Sequence, residues 1–268
     1  MLIYKIMRKI ANKIFIAINR LGRNKQCYIC GETFFRFRKW RGGSKNVHLW
    51  IKSLNAVGSD TDNFGCFYCG SFDRLRHIFM FFDKLDFWPR FSNAHIIHFA
   101  PEALLSKKIE ECHPAQYVKA DMFPWVKDIE KIDLTNIAYN DETFDIFICN
   151  HVLEHVPDYK KALREIYRVL QKGGIAILQT PYSRLLVNNF EDPGINTDEL
   201  RTLYYGQEDH VRCFSERQFF QGLVEAGFIL TIVKHADYFT EEQSSYFGVN
   251  KAEDLIMVVK EPLKNSKT

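Results

Sequence analysis

The sequence predicts an α/β fold with a mostly parallel sheet, and the main evidence is one unit between residues 144 and 181. Residues 144–149 form a short apolar run, as expected of a strand that is buried on both faces of a parallel sheet. The following segment repeats apolar side chains at three- and four-residue spacings up to Gly173-Gly174, which predicts an amphipathic helix with a glycine stop. Another apolar run, residues 175–179, comes next. The order strand, helix, strand implies a parallel pair with a right-handed crossover.

Further elements are predicted on both sides of this unit. Residues 95–100 read HIIHFA, a short strand that is followed by a helix from Pro101 to about residue 111, because proline suits the first helical position. Residues 115–120 form a second strand that ends at Asp121. Beyond the unit, a helix with Ser215 as N-cap is followed by strands near residues 228–233 and 255–259.

The central unit also resembles a known family. The run DETFDIFICNHVLEHV, a charged helix, VLQKGG and a strand are similar to the second half of the S-adenosylmethionine-dependent methyltransferases of the Rossmann-like class I, type 11 group. The matching positions are Asp141, Phe144, Asp145, Glu154, His155, Arg168, Leu170, Lys172, Gly173 and Gly174. The resemblance covers roughly residues 93–260. It implies a doubly wound seven-stranded sheet that is mostly parallel, with an antiparallel last strand.

The resemblance implies S-adenosylmethionine as the cofactor. Asp121 is placed to accept the hydroxyl protons of the ribose, as the acid at the end of the second strand does in dinucleotide folds. Asp133 resembles the acid that accepts from the adenine amino group, and Leu134 can lie against the ring. The first loop, HFAPEA, has no glycine, but an H-x-A-P-E loop beside a cysteine-rich module is similar to a variant form within this group. The predicted cofactor contacts are His98, Ala100, Glu102, Asp121, Asp133, Leu134, Asn150 and His151.

The predicted catalytic groups are two histidines. Residues 183–213 form a polar insertion after the fifth strand, where the family commonly covers its substrate pocket. The insertion ends in YGQEDHVRCF, and His210 within it is the preferred general base, with His155 as the second choice. The alternative is that His210 is a non-catalytic loop histidine whose ring nitrogen is hydrogen-bonded to a neighbouring carboxylate.

Two C-x-x-C pairs, with 35 residues between them, predict a structural zinc site. The predicted ligands are Cys27, Cys30, Cys66 and Cys69, since two tight turns can direct four thiolates to one tetrahedral ion. Four thiolates leave no coordination position for a substrate. The alternative is one redox-type pair near unrelated cysteines, and His48 between the pairs could replace one ligand. The other three cysteines are isolated, which favours a reducing compartment over a disulfide framework.

The predicted domains are a basic amphipathic helix (1–25), a zinc-knuckle module with a packing helix (26–88) and a methyltransferase domain (89–268). Residues 1–52 hold 13 Lys or Arg and one acidic residue, whereas the rest of the chain is net acidic. The basic helix could lie on an anionic membrane surface, on its own protein or along nucleic-acid phosphates. No run at the N-terminus reaches the roughly 18 apolar residues that span a bilayer, so the expected location is the cytoplasm, with peripheral contact to the inner membrane face as an option.

The predicted function is methyl transfer from S-adenosylmethionine to an oxygen or nitrogen of a small-molecule or glycan acceptor. One alternative is an RNA methyltransferase that binds RNA through the basic residues 1–52. Nucleic acid is the less favoured partner, because the rest of the chain is net acidic. The other alternative is a non-catalytic binding module whose glycine-free loop no longer holds the cofactor.

Overall fold

The computed structural model describes residue 7 and residues 14–261. Residues 14–19 are helical, but most of the basic helix predicted over residues 1–25 lies outside the described residues. No helix within the described part of the chain is both long enough and apolar enough to cross a bilayer.

The described residues divide into two compact units. The first, here called the cysteine unit, contains the described residues within 1–46, 59–84 and 236–252. The second, here called the sheet unit, contains residues 47–58, 85–235 and those from 253 onward. The strands in chain order are β1 (Lys25–Gln26), β2 (Thr33–Phe34), β3 (Ala56–Val57), β4 (His95–Phe99), β5 (Gln116–Asp121), β6 (Glu130–Lys131), β7 (Phe144–Cys149), β8 (Leu170–Ile177), β9 (Tyr182–Ser183), β10 (Phe214–Ser215), β11 (Phe228–Val233) and β12 (Leu255–Lys260). The helices are α1 (Leu49–Ser53), α2 (Asp73–Lys84), α3 (Ala103–Glu110), α4 (Tyr159–Val169), α5 (Asp198–Tyr205), α6 (Glu216–Glu225) and α7 (Glu241–Phe247).

A seven-stranded sheet forms the centre of the sheet unit. Its strand order is β11-β12-β8-β7-β4-β5-β6. The pairs from β8 to β6 are parallel, and β12 is antiparallel to both of its neighbours. This arrangement confirms the predicted α/β fold with a doubly wound, mostly parallel sheet and an antiparallel last strand. Strands β10, β9 and β3 form a second, three-stranded sheet in the same unit.

The crossover between β7 and β8 follows the prediction, but its glycine pair has another function. Helix α4 begins at the N-cap Asp158, whose side chain accepts from the Lys161 amide, and it buries an apolar face. The helix ends at Val169 and runs directly into β8, so Gly173 and Gly174 lie inside the strand rather than at a helix stop. The β7–β8 register shifts at this point, and Gly173 adopts a φ of 81° that other residues rarely reach.

The core of the sheet is apolar on both faces. Most of β7 and β4 is fully buried, and the Phe99 and Phe147 rings stack with their centroids 5.4 Å apart. Nearly continuous burial explains why these strands read as mostly apolar runs. It also means that polar side chains become available where the strands end, which is where the candidate site lies.

Candidate functional site

The carboxyl ends of four parallel strands bring predicted site residues to one edge of the sheet. The Ala100 amide donates to the Ala120 carbonyl at 2.9 Å, so the loop after β4 lies beside Asp121 at the end of β5. Phe99 pairs with Cys149, which puts Asn150 next to the same loop. The His151 amide donates to the Gln179 carbonyl at 2.7 Å, beyond the end of β8. Open α/β sheets bind ligands at this edge.

The glycine-free loop after β4 has a backbone conformation that usually requires glycine. Ala100 has a φ of 50°, in the left-handed region, which costs a residue with a Cβ roughly 1–2 kcal/mol. The chain then enters α3, whose N-cap is Glu102, but the Glu102 side chain makes no capping bond. Its Oε2 instead lies 2.8 Å from Nε2 of the buried His98, whose Nδ1 lies 2.8 Å from the Tyr117 hydroxyl. The loop therefore presents an anchored carboxylate in place of flexible glycines.

Asp121, Asp133 and Leu134 lie near the β5–β6 side of the edge. One Asp121 carboxylate oxygen accepts from the Phe123 amide at 2.7 Å, and the Asp121 carbonyl accepts from the Ile132 amide at 3.0 Å. Asp133 is exposed, and its side chain accepts from the Thr135 amide and hydroxyl. Leu134 is buried. Both carboxylates can still accept from a ligand, and their functions stay predictions.

Asn150 and His151 are buried polar residues with unused hydrogen-bonding capacity. Asn150 donates to Glu102 at 3.4 Å, whereas its own Oδ1 has no partner within the described part of the chain. The two ring nitrogens of His151 likewise have no hydrogen-bond partner among the described residues. Because buried polar atoms are usually satisfied, each such group calls for an explanation, and a bound ligand is one.

Both predicted catalytic histidines lie beside a buried acid, Glu154. His155 and Glu154 belong to a short 3-10 helix, Leu153–His155, directly after β7, and His210 comes from the loop after α5. The rings of His155 and His210 are perpendicular, with centroids 4.7 Å apart. Glu154 is 1% exposed and His210 5%. One carboxylate oxygen of Glu154 and one ring nitrogen from each histidine lie within 4.8 Å of one another.

A buried arginine holds the His210 loop against the turn after β7. Arg212 donates to the carbonyls of Leu153, Val156 and Pro157, and its Nε donates to Glu191 at 2.8 Å. The Val211 amide also donates to the Glu154 carbonyl at 3.0 Å. The Arg212 guanidinium therefore fixes the position of this loop, and these hydrogen bonds place His210 beside Glu154.

Burial and neighbouring charges act in opposite directions on this cluster. Burial raises the pKa of Glu154, but the neighbouring His151 and, to a smaller extent, His155 outweigh it and hold the pKa well below its usual value. Burial lowers the pKa of His210 more than Glu154 raises it. The cluster therefore combines an ionised carboxylate with a neutral imidazole.

Sequence reasoning did not assign a function to Glu154 or to Thr180. The Thr180 hydroxyl donates to Glu154 Oε2 at 2.9 Å. The only available signal was Glu154 beside His155 in the family-like EH pair, because nothing in the sequence shows that an acid five residues after a strand becomes buried. Thr180 could be found only from the pairing of β7 with β8.

The four predicted zinc ligands come together inside the cysteine unit. Their sulfurs lie within 4.8 Å of one another, with Cys27 to Cys69 at 3.5 Å and Cys30 to Cys66 at 3.8 Å. Four sulfurs at about 2.3 Å from a tetrahedral zinc ion are about 3.8 Å apart, so the donor set fits the ion. The glycine after each pair, Gly31 and Gly70, has a φ near 75°, as the tight turns require.

Comparison with known proteins bears on the sheet unit. Residues 90–178 match the methyltransferase domain family. Demethylmenaquinone methyltransferases from Alkalihalophilus pseudofirmus and Staphylococcus epidermidis are 44% and 40% identical over 45 residues, which are 16% and 17% of this chain. The match spans only about a fifth (19%) of the length of these relatives.

Solved structures with a similar fold include an S-adenosylmethionine-dependent methyltransferase from Mesorhizobium loti. It is 14% identical, with a TM-score of 0.47 over 63% of this chain and 92% of that one. A Burkholderia thailandensis 1,6-didemethyltoxoflavin-N1-methyltransferase is also 14% identical, with a TM-score of 0.39 over 63% of this chain and 72% of that one. The family match does not include the cysteine pairs, so the zinc-knuckle module stays a prediction. Residues 90–178 carry a methyltransferase domain, the enzyme class that the sequence predicted.

Proposed function

We propose that the sheet unit transfers a methyl group from S-adenosylmethionine to an oxygen or nitrogen of a small-molecule or glycan acceptor. The observation that carries this proposal is the alignment of Ala100, Asp121 and Asn150 at the carboxyl edge of a sheet whose segment 90–178 matches the methyltransferase domain family. This edge is where the class binds nucleotides, and each of the three positions lies at the carboxyl end of a different strand.

The proposed cofactor contacts follow from the groups at this edge. Asp121 would accept from the ribose hydroxyls through the carboxylate oxygen that the Phe123 amide leaves free. Asp133 would accept from the adenine amino group. The left-handed turn at Ala100 exposes the start of α3, and the Glu102 carboxylate beside His98 would face the amino group of the methionine part.

The transfer itself is an in-line displacement. The bond between the methyl carbon and the sulfonium sulfur breaks, its electrons stay on sulfur as a thioether, and a new bond forms to the acceptor. The acceptor proton has to leave, and His155 or His210, both beside the ionised Glu154, would accept it in the absence of a metal. The chain therefore aligns two reactants and removes one proton.

We also propose that the cysteine unit holds a structural zinc ion on Cys27, Cys30, Cys66 and Cys69. The fit of their sulfur separations to a tetrahedral ion supports this. When bound, the ion would stabilise the turns that contain the ligands. The cytoplasmic location, the membrane contact and the partner of the basic residues 1–52 stay predictions.

Calorimetry with S-adenosylmethionine and S-adenosylhomocysteine tests the cofactor site in the zinc-loaded chain. Micromolar binding is expected, and Asp121→Ala should weaken it by roughly 1–3 kcal/mol, or about 5- to 150-fold, through lost hydroxyl contacts. Asp128→Ala is the matched control, because Asp128 is an exposed partner of Lys119. A folded wild-type chain that binds neither ligand would sink the enzyme proposal and favour a binding module.

The acceptor class needs a second assay. Methyl transfer from labelled cofactor can be compared between RNA and a panel of hydroxyl- and amine-bearing small molecules and glycans. We expect label in the small-molecule or glycan fraction. Transfer to RNA with an affinity that falls steeply as salt rises would replace this acceptor with the nucleic-acid alternative.

A further inference from the structure

We propose that Glu154, His155 and His210 bind one divalent transition-metal ion, such as zinc or ferrous iron, in the sheet unit. Their carboxylate oxygen and ring nitrogens lie within 4.8 Å of one another. Two imidazole nitrogens and one carboxylate oxygen form the donor set of catalytic zinc sites and of non-haem iron sites that keep an open coordination position. This set differs from the closed shell of four thiolates.

The hydrogen bonds of the two histidines direct their lone pairs into the cluster. His210 Nδ1 lies 3.1 Å from the Tyr205 carbonyl, and His155 Nδ1 lies 3.2 Å from the Asp209 carbonyl. A carbonyl only accepts, so Nδ1 carries the proton in each ring and Nε2 of the neutral ring carries the lone pair. His210 Nε2 is buried and has no hydrogen-bond partner among the described residues. Backbone carbonyls that fix Nδ1 are the usual orienting partners of metal-binding histidines.

The carboxylate is oriented in the same way. Glu154 Oε2 accepts from the Thr180 hydroxyl at 2.9 Å, whereas Oε1 faces His151 Nδ1 at 3.6 Å and His155 Nε2 at 4.0 Å. These two separations are longer than hydrogen bonds. A buried carboxylate at 1% exposure is costly unless a positive charge compensates for it, and a divalent ion would supply that charge.

The cluster is slightly wider than a loaded site. Ligands about 2.1 Å from a tetrahedral ion are about 3.4 Å apart, so binding has to draw the three groups together by about an ångström. His155 is the ligand that can supply this shift, because its side chain is 30% exposed whereas Glu154 and His210 are buried. The same exposed side offers an entry path and the open coordination position.

The metal binding stands by itself, but its use in catalysis rests on the proposed methyl transfer. An acceptor hydroxyl in the open position would lose its proton to water more readily, because a bound cation lowers the hydroxyl pKa. The resulting oxygen anion would take the methyl carbon, and the electrons of the carbon–sulfur bond would stay on sulfur. His155 and His210 would then act as ligands rather than as general bases. This mechanism favours oxygen acceptors over amines.

Metal content measures the site directly. The full chain is equilibrated with zinc, dialysed against metal-free buffer and analysed by mass spectrometry for zinc per chain. We expect two equivalents in the wild type and one in His210→Ala and Glu154→Gln. His95→Ala is the matched control, because His95 lies at the opposite end of β4 with its side chain 45% exposed, and it should keep two. One equivalent in the wild type, or two in every variant, would overturn the proposal.

A spectroscopic measurement on the wild type covers the case in which the variants do not fold. Cobalt(II) on thiolates gives strong near-ultraviolet charge-transfer bands, whereas an N₂O site gives only weak visible bands. A second cobalt equivalent that adds weak bands alone supports the site, and one that adds thiolate bands contradicts it. Two metals in a chain that binds no S-adenosylmethionine would sink the proposed function and leave the metal site standing.

Discussion

The two candidate metal clusters of this chain differ in how the sequence builds them. The cysteine cluster comes from two tight turns, in which each C-x-x-C pair is followed by a glycine of positive φ. The cluster of Glu154, His155 and His210 comes from the turn after β7 and a loop after α5, which only tertiary bonds bring together. Each half of the four-sulfur shell is thus encoded locally, although the two halves lie 35 residues apart, whereas the second cluster has no such local ligand pair on two turns and depends on the packing of distant segments.

The largest expected effect is the loss of the thiolate shell. Cys66→Ser should remove the zinc equivalent of the four sulfurs and abolish the thermal transition of the cysteine unit, while the second equivalent stays bound, because structural zinc contributes about 10–16 kcal/mol of apparent binding free energy in small zinc-dependent folds. Zinc content and calorimetric melting measure both. Cys112→Ser, a change at a half-buried thiol outside the cluster, should leave them unchanged. A Cys66→Ser chain that keeps both zinc equivalents would show that the four sulfurs do not act as one site.

A smaller effect is expected from the arginine that assembles the second cluster. Arg212→Met leaves three carbonyls without their donor, of which that of Leu153 is buried, so the free energy of unfolding should fall by on the order of 3 kcal/mol, since hydrogen bonds to charged groups are worth about 1.5–3 kcal/mol each. Urea denaturation measures this change, and retention of the second metal equivalent should also fall. Arg217→Met is the control, because Arg217 is exposed on the neighbouring α6. Equal stability of the two variants would mean that Arg212 does not hold the loop.

The smallest expected effects compare one hydroxyl in each cluster. Ser71 Oγ lies 3.3 Å from Cys27 Sγ and 3.2 Å from Cys69 Sγ, and the Thr180 hydroxyl donates to Glu154. Ser71→Ala and Thr180→Val should each lower the metal affinity of their own cluster by about tenfold and leave the other cluster unchanged. Chelator competition measures both affinities. Cross-effects would show that the two clusters are not independent.

Much of the fold could be predicted from local patterns. The apolar runs of β4 and β7 mark strands that are buried on both faces, and the 3.6-residue period of α4 marks the helix between parallel strands. The function of Gly173 could not be predicted in this way, because its place inside β8 depends on the β7–β8 register. The candidate site was predictable where residues end a strand or directly follow one, as Asp121 and Asn150 do.

The sequence alone determined the strand and helix order, the family resemblance and the cysteine pairs, since these depend on residue type and spacing along the chain. Only the tertiary structure decided that Glu154 is buried, that Arg212 is structural and that His155 and His210 face the same carboxylate. The physical reason is that burial and side-chain proximity arise from contacts between segments far apart in the chain. A single sequence does not show which of these segments meet.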